Sequence, residues 1–293
     1  MAATAIGFVA VLLWAVLALL TAASGTVPPF QLVAMAFTVA FLLALGKWLW
    51  RRQPILPLLR QRPLVWLIGV GGLFGYHFFY FLALDHAPAV EASLIAYLWP
   101  LLIVLFSAAL PGERLRWFHV AGGVLGLVGA GLLVTSGERL TFQSVYATGY
   151  GAALICAAIW SGYSVLSRRF AEVPTDVVGG YCGATALLAV GAHLAFEQTV
   201  WPAGPGQWLA VLGLGLGPVG LAFFFWDYGV KRGHIQVLGA SAYAAPLLST
   251  VVLIGFGYAE ATLAVALACV LITGGALLAS LDLLSALGAR RAP

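Results

Sequence analysis

The sequence predicts an all-α integral membrane protein: ten transmembrane helices arranged as two inverted five-helix repeats, with both termini cytoplasmic. Three observations predict it. Of 293 residues, 62% are hydrophobic and 8% charged, whereas a soluble domain carries about a quarter charged residues. So few charges could not cover the surface of a water-soluble fold of this length. The apolar residues gather into ten runs of about 20, enough to cross roughly 30 Å of hydrocarbon as helix. Features of the first half also recur in the second at a shift of 146 residues.

The first five runs lie at 3–23, 30–50, 64–84, 88–110 and 118–136, and the second five at 147–168, 176–196, 207–230, 235–257 and 262–284. They are predicted as helices because barrel strands would alternate apolar and polar residues, and these runs do not. The first run ends in Thr21-Ala22-Ala23-Ser24-Gly25, small residues of the kind found at signal-peptide cleavage sites. Its amino end carries no positive charge and its apolar stretch is too long, so it is expected to stay as a helix. The connections are short and leave no room for a soluble domain, which divides the chain into repeats at 1–140 and 141–293.

Charge orients the runs. Cytoplasmic loops carry the excess of Lys and Arg. With Met1 inside, the cytoplasm receives Lys47, Arg51, Arg52, Arg60 and Arg62, then Arg114 and Arg116, Arg168 and Arg169, Lys231 and Arg232, and Arg290 and Arg291. That is thirteen of the fourteen basic residues, with Arg139 alone outside. The opposite loops hold mainly acids: Asp85, Glu91, Glu138, Glu197 and Glu260. The net charge of +4 therefore reflects orientation beside anionic headgroups and gives no sign of a nucleic-acid partner. Cys156, Cys182 and Cys269 stand singly within runs, without metal-ligand spacing or an evident disulfide. No cofactor or metal is implied.

The shift of 146 residues superimposes Trp14 on Trp160, Val27-Pro28 on Val173-Pro174, Tyr97 on Tyr243 and Pro100 on Pro246. A one-residue insertion then brings Glu113 onto Glu260. The correspondences together indicate two homologous halves. An odd number of helices per half turns the second upside down, and the charges agree: Asp85-His86, outside, corresponds to Lys231-Arg232, inside. Two halves of like shape and opposite orientation suit alternating access, with a binding site near mid-membrane between them.

A Trp in the first helix of each half, and a Pro midway along the fourth followed by Gly-Glu-Arg-Leu (112–115) or Ala-Glu-Ala-Thr-Leu (259–263), resemble the EamA repeat of the drug/metabolite transporter superfamily. The resemblance covers nearly the whole chain. Within that superfamily the aromatic residues of the third and fourth runs are most similar to the YddG-type aromatic amino-acid exporters of bacterial inner membranes. The resemblance implies a multi-pass inner-membrane protein that exports a small molecule.

The residues themselves suggest where a substrate would sit. Tyr76, His77 and Tyr80 share one helical face by three-and-four spacing. Ser93, Tyr97 and Pro100 form a stripe on the next helix, with Trp99 beside it. Trp160 and Tyr163, the 223–228 run of rings, and Tyr243 extend the collection in the second half. The substrate-binding candidates are Tyr76, His77, Tyr80, Tyr97, Trp99, Trp160, Tyr163 and Tyr243, whose polar tips need partners away from water. Helix packing is the competing role for these residues, and the expected one for Phe78, Phe81, Phe224 and Phe225. His77 and Asp227 are the two candidates for proton coupling. A hydrogen bond between helices would serve equally for His77, and an ordinary helical ion pair with Lys231, four residues on, for Asp227. Gly122, Gly126, Gly274 and Gly275 make small-residue faces for packing, and a monomer is expected.

No Lys or Arg stands mid-run, which disfavours phosphate esters and dicarboxylates, since these need fixed positive charge in the site. A zwitterionic amino acid, aromatic or otherwise hydrophobic, fits a neutral ring-lined cavity; a lipophilic drug or another neutral metabolite would fit as well. A membrane-embedded enzyme is the remote alternative: His-Glu-x-x-His and Gly-x-Gly-Asp are absent, and no nucleophile stands beside a base. Pro100 and Pro246 each remove a mid-helix backbone bond, which makes them hinge candidates for gating the two ends. Pro100→Ala is therefore expected to slow transport in reconstituted vesicles, and an unchanged rate would remove the hinge.

Overall fold

Because backbone amides cannot be left unbonded in hydrocarbon, the apolar runs close their hydrogen bonds within themselves as helices. The computed structural model describes residues 1–136, 142–257 and 260–282, and among these no strand occurs. Nine helices are long and apolar enough to cross a membrane. They are α1 (Ala2–Ala23), α2 (Pro29–Trp50), α3 (Pro63–His86), α4 (Ala89–Ala109), α5 (Trp117–Thr135), α6 (Ser144–Arg169), α7 (Thr175–Phe196), α8 (Pro205–Arg232) and α9 (Ile235–Gly255). A shorter apolar helix, α10 (Leu263–Ala279), follows. The nine fall on the first nine predicted runs and α10 on the last. Glu138, Arg139, Ala259, Arg290, Arg291 and the 140/141 boundary lie outside the described residues.

Local chemistry sets the helix ends. Pro29, Pro63 and Pro205 occupy the first turns of α2, α3 and α8, where a missing N–H costs nothing and φ is already helical. Thr262 caps α10, its hydroxyl accepting from the Val265 amide. Gly112, at φ 80°, reverses the chain between α4 and α5 in a conformation that a side chain would strain.

Several helices are interrupted. A π-helical turn at Gly71–Gly75 in α3 is matched by one at Gly217–Leu221 in α8, 146 residues on. The helix opens at residues 97–98 in α4 and 242–243 in α9, in each case just before the proline singled out above. The local cause is the missing N–H of Pro100 and Pro246. α1 opens at residues 15–16, where no proline stands.

Packing pairs the helices across the two halves: α1 with α8, α3 with α6, α2 with α7, and α5 with α10. Exchanging each helix for its counterpart five places along turns the first pair into the second and maps the other two onto themselves. Small residues permit the closest approaches. Gly7 and Gly229 meet where α1 crosses α8, leaving no room for a Cβ on either. Their counterparts 146 residues away, Ala153 and Ala83, are both fully buried in the core between α3 and α6. On α5 and α10, Gly122 and Gly275 face each other, and an added Cβ on either would run into the other's carbonyl oxygen. Gly126 makes room for the Tyr243 ring, whereas Gly274 looks into open space.

Of the predicted small-residue positions, three are thus internal contacts. Gly122→Leu is expected to destabilise the fold by about 1–3 kcal/mol, the usual cost of overpacking, and to lower the melting temperature of the purified protein. Gly274→Leu serves as the control and should melt within a degree or two of the parent, as an unencumbered substitution does.

Candidate functional site

Four indoles from four helices meet in the middle of the molecule: Trp14 of α1, Trp99 of α4, Trp160 of α6 and Trp226 of α8. Their ring centroids lie 5.1 to 6.3 Å apart. Such pairs contribute about 0.5–1.5 kcal/mol each beyond the area they bury, so the cluster binds the two halves together. Two indole N–H groups are used within it. Trp14 Nε1 donates to the Pro218 carbonyl at 3.1 Å, and Trp226 Nε1 to the Ser164 hydroxyl at 3.0 Å. Trp99 and Trp160 have no such partner among the described residues, and their Nε1 atoms are not sealed in protein.

Above this floor lies a cavity of about 470 Å³, and beside it a recess of about 160 Å³ that shares Tyr76, His77, Tyr97 and Trp99 in its lining. α1, α2, α3, α4 and α8 form the main wall, and Trp160 and Pro246 close the recess. It runs up to Ser24, Gly25, Val27 and Pro29, at the connection between α1 and α2. This is the end of the bundle that also carries Glu91 and Glu197, and it is called here the acidic end. Among the described residues no Asp, Glu, Lys or Arg lines the cavity. Its polar groups are those of Tyr76, His77, Tyr80, Ser93, Tyr97, Trp99 and Trp160, with the hydroxyls of Thr21, Ser24 and Ser249. Tyr80 and Ser93 share a hydrogen bond of 3.2 Å. His77 Nδ1 lies 2.7 Å from the Leu73 carbonyl inside the π turn.

Six of the eight predicted substrate residues are therefore brought to the cavity or its adjoining recess: Tyr76, His77, Tyr97 and Trp99 line both, Tyr80 the cavity and Trp160 the recess. Tyr163 and Tyr243 are not. Tyr163 is 3% exposed, and its ring fills the space left by Gly72. Tyr243 is fully buried in a separate cluster with Ala130, Ala268 and Ile272, on the α5–α10 side. Of the phenylalanines expected only to pack, Phe81 lines the cavity, while Phe78 packs on Phe30, Phe74 and Phe196. Asp227 stands one residue beyond the floor, outside the cavity. Its Oδ2 accepts from Lys231 at 2.9 Å and from Thr175 at 2.7 Å, the helical ion pair weighed above. Pro246 lines the recess, whereas Pro100 is buried behind Trp99.

Some wall and closure residues lay outside the sequence-based selection. Trp14, Phe223, Pro218 and Val219 belong to the wall. Trp14 could have been found through its correspondence with Trp160. At the other end, which carries Lys47, Arg116 and Arg232, polar groups close the bundle. Arg168 donates to Glu113 at 2.5 Å and to the carbonyls of Val230 and Gly233 at 2.9 and 2.6 Å. Glu113 also accepts from Gln236 at 2.9 Å. Lys47 and Gln53 both reach Asp176. These residues are 55 to 129 positions apart, so no local pattern pairs them.

The chain is similar to known proteins along nearly its whole length. It is 56% identical over 282 residues to the aromatic amino acid exporter YddG of Ancylobacter novellus, covering 95% of this chain and 97% of that protein. It is 27% identical to the YddG exporter of Salmonella typhimurium, over 85% and 86% of the two chains. A solved crystal structure 55% identical in sequence superimposes with a TM-score of 0.91, covering 96% of this chain and 98% of that one. The EamA-like transporter family matches twice, at residues 1–135 and 147–281. With those two matches covering nearly all of it, the chain belongs to the EamA-like transporter family.

Proposed function

We propose that this protein is a secondary transporter of the bacterial inner membrane that exports aromatic or other hydrophobic amino acids by alternating access. The observation that carries the reading is the cavity: large, ring-walled, and without a charged side chain. A zwitterion has no net charge to compensate, so indole N–H groups, hydroxyls and an imidazole can meet its two ends while rings receive its side chain. Relatives named as aromatic amino acid exporters support the substrate class.

In this reading ten helices form two inverted repeats, at 1–140 and 141–293, with both termini in the cytoplasm. The paired π turns, the paired helix breaks and the exchange of packing partners support the repeat. The basic end is cytoplasmic by the distribution of Lys and Arg. The cavity then faces outward, and the Trp floor with the Arg168–Glu113–Gln236 network holds the cytoplasmic side shut. Pro100 and Pro246 mark where α4 and α9 bend as the closed end changes sides. His77 stands in the cavity where it could exchange a proton with substrate or solvent; Asp227 is engaged by Lys231 and serves the closed end.

Two measurements test this. The first is counterflow of labelled phenylalanine in proteoliposomes. It is expected to saturate, and Trp99→Ala and Tyr97→Ala are each expected to raise the apparent KM about tenfold, the equivalent of roughly 1.4 kcal/mol of binding. Movement of a lipophilic cation without phenylalanine would replace the amino acid by a drug as the substrate.

The second is closure of the cytoplasmic end, read in a background lacking the three native cysteines. A cysteine placed at Val230, fully buried here, should react several-fold faster with a water-soluble maleimide once Glu113→Gln loosens the network. Equal rates would show that the network does not hold that end.

A further inference from the structure

We infer that His77 Nε2 is the acceptor for the substrate's ammonium group and so sets the orientation of the amino acid in the cavity. The inference rests on the amino-acid reading and adds to it which end of the zwitterion goes where.

The imidazole's tautomer is set by its neighbour. Nδ1 lies 2.7 Å from the Leu73 carbonyl, and a carbonyl can only accept, so Nδ1 carries the proton. In the neutral ring Nε2 is then a bare acceptor. No hydrogen bond to Nε2 occurs among the described residues, and the atom is not sealed in protein. His77 lines both the main cavity and the recess, and with Nδ1 engaged by Leu73 Nε2 is the ring nitrogen left to bond a ligand there.

Among the side chains of the cavity wall this atom is unique in kind. Indole N–H groups can only donate, and hydroxyls can do either. With no carboxylate in the wall among the described residues, Nε2 is the one side-chain atom among them that accepts and cannot donate. An ammonium offers three donors and no acceptor, so it is the group this atom suits. Two cavity-lining rings beside it favour a cation as well: Tyr76 and Phe81 stand 5.5 and 6.2 Å from the imidazole, centroid to centroid. The opposite need can be met by the N–H groups of Trp99 and Trp160, which line the same recess and have no partner among the described residues.

The repeat makes the arrangement one-sided. At a shift of 146 residues the counterpart of His77 is Phe223, which also lines the recess. Phe37 stacks on Phe223 at 5.6 Å and 6°, and meets His77 edge-on at 5.4 Å and 89°. One ring thus separates an acceptor on the first half from an apolar ring on the second. A zwitterion in the cavity finds an ammonium site on α3 and none at the equivalent place on α8.

The test is calorimetric titration of the purified full-length protein with three ligands. L-phenylalanine carries both charged groups, 2-phenylethylamine has the ammonium alone, and 3-phenylpropanoate has the carboxylate alone and no N–H to donate. His77→Leu is expected to weaken phenylalanine and 2-phenylethylamine about tenfold each, with 3-phenylpropanoate unchanged. His77→Gln, whose side-chain oxygen accepts, should recover most of that loss. A uniform loss for all three ligands would give His77 a structural role only, and unchanged affinities would give it none; either overturns the inference. Parent protein that binds 2-phenylethylamine but not phenylalanine would keep the ammonium site and remove the amino-acid reading, whereas binding of none of the three would end both.

Discussion

The contact on which the rest of the molecule depends is the meeting of Trp14, Trp99, Trp160 and Trp226. Lipid is as apolar as a leucine side chain, so burying hydrocarbon gives helices in a membrane little reason to associate, and packing and interhelical hydrogen bonds must hold them. Four large flat rings at 5.1 to 6.3 Å provide that packing between α1, α4, α6 and α8. Their donors divide into two sets. Those of Trp14 and Trp226 tie the cluster to α8 and α6, and those of Trp99 and Trp160 are left to the cavity. The cluster is therefore both the joint between the halves and the floor of the site.

Around that joint, irregular backbone occurs where membrane proteins can tolerate it. A broken helix exposes amides and carbonyls that lipid cannot satisfy, so such breaks belong beside cavities or inside protein. The breaks in α1 and α4 and the π turn of α8 all adjoin cavity residues: Trp14 and Leu17, Tyr97 and Trp99, Pro218 and Val219. The Pro218 carbonyl, within a π turn, accepts the Trp14 N–H, and the Leu73 carbonyl, within the other, accepts from His77. Each π turn thus supplies one acceptor, the two carbonyls standing one residue out of register in the repeat, since the counterpart of Pro218 is Gly72. One is used by an indole in the floor and the other by an imidazole in the wall.

Charge is excluded from the cavity and concentrated beyond it. Along α8 the order is plain: Pro218, Val219 and Phe223 in the wall, Trp226 in the floor, then Asp227 and Lys231 paired beneath it, and the Val230 carbonyl held by Arg168. Burying either member of such a pair alone would cost several kcal/mol. The pairs therefore persist only where further partners are brought in, as at Thr175 of α7 for Asp227 and the Val173 carbonyl of the α6–α7 connection for Lys231. A wall without charge and an end dense with ion pairs give the same helix two functions along its length.

By itself the sequence determined where the long helices lie, which end carries the basic residues, and that rings with polar tips stand in spans with no Lys or Arg at their middle. The physical reason is that the bilayer imposes length, hydrogen bonding and charge placement on each segment separately, so these are written locally. Which rings face the cavity was decided only by tertiary structure. Tyr97 and Tyr243 hold equivalent places in the repeat, yet the first lines the cavity and the second fills the space beside Gly126. Helices apolar on every side give no periodic signal to separate a wall position from a packed one. The closure of the basic end was equally hidden, because Glu113, Arg168 and Gln236 come together only when α6 and the start of α9 pack beside the turn after α4.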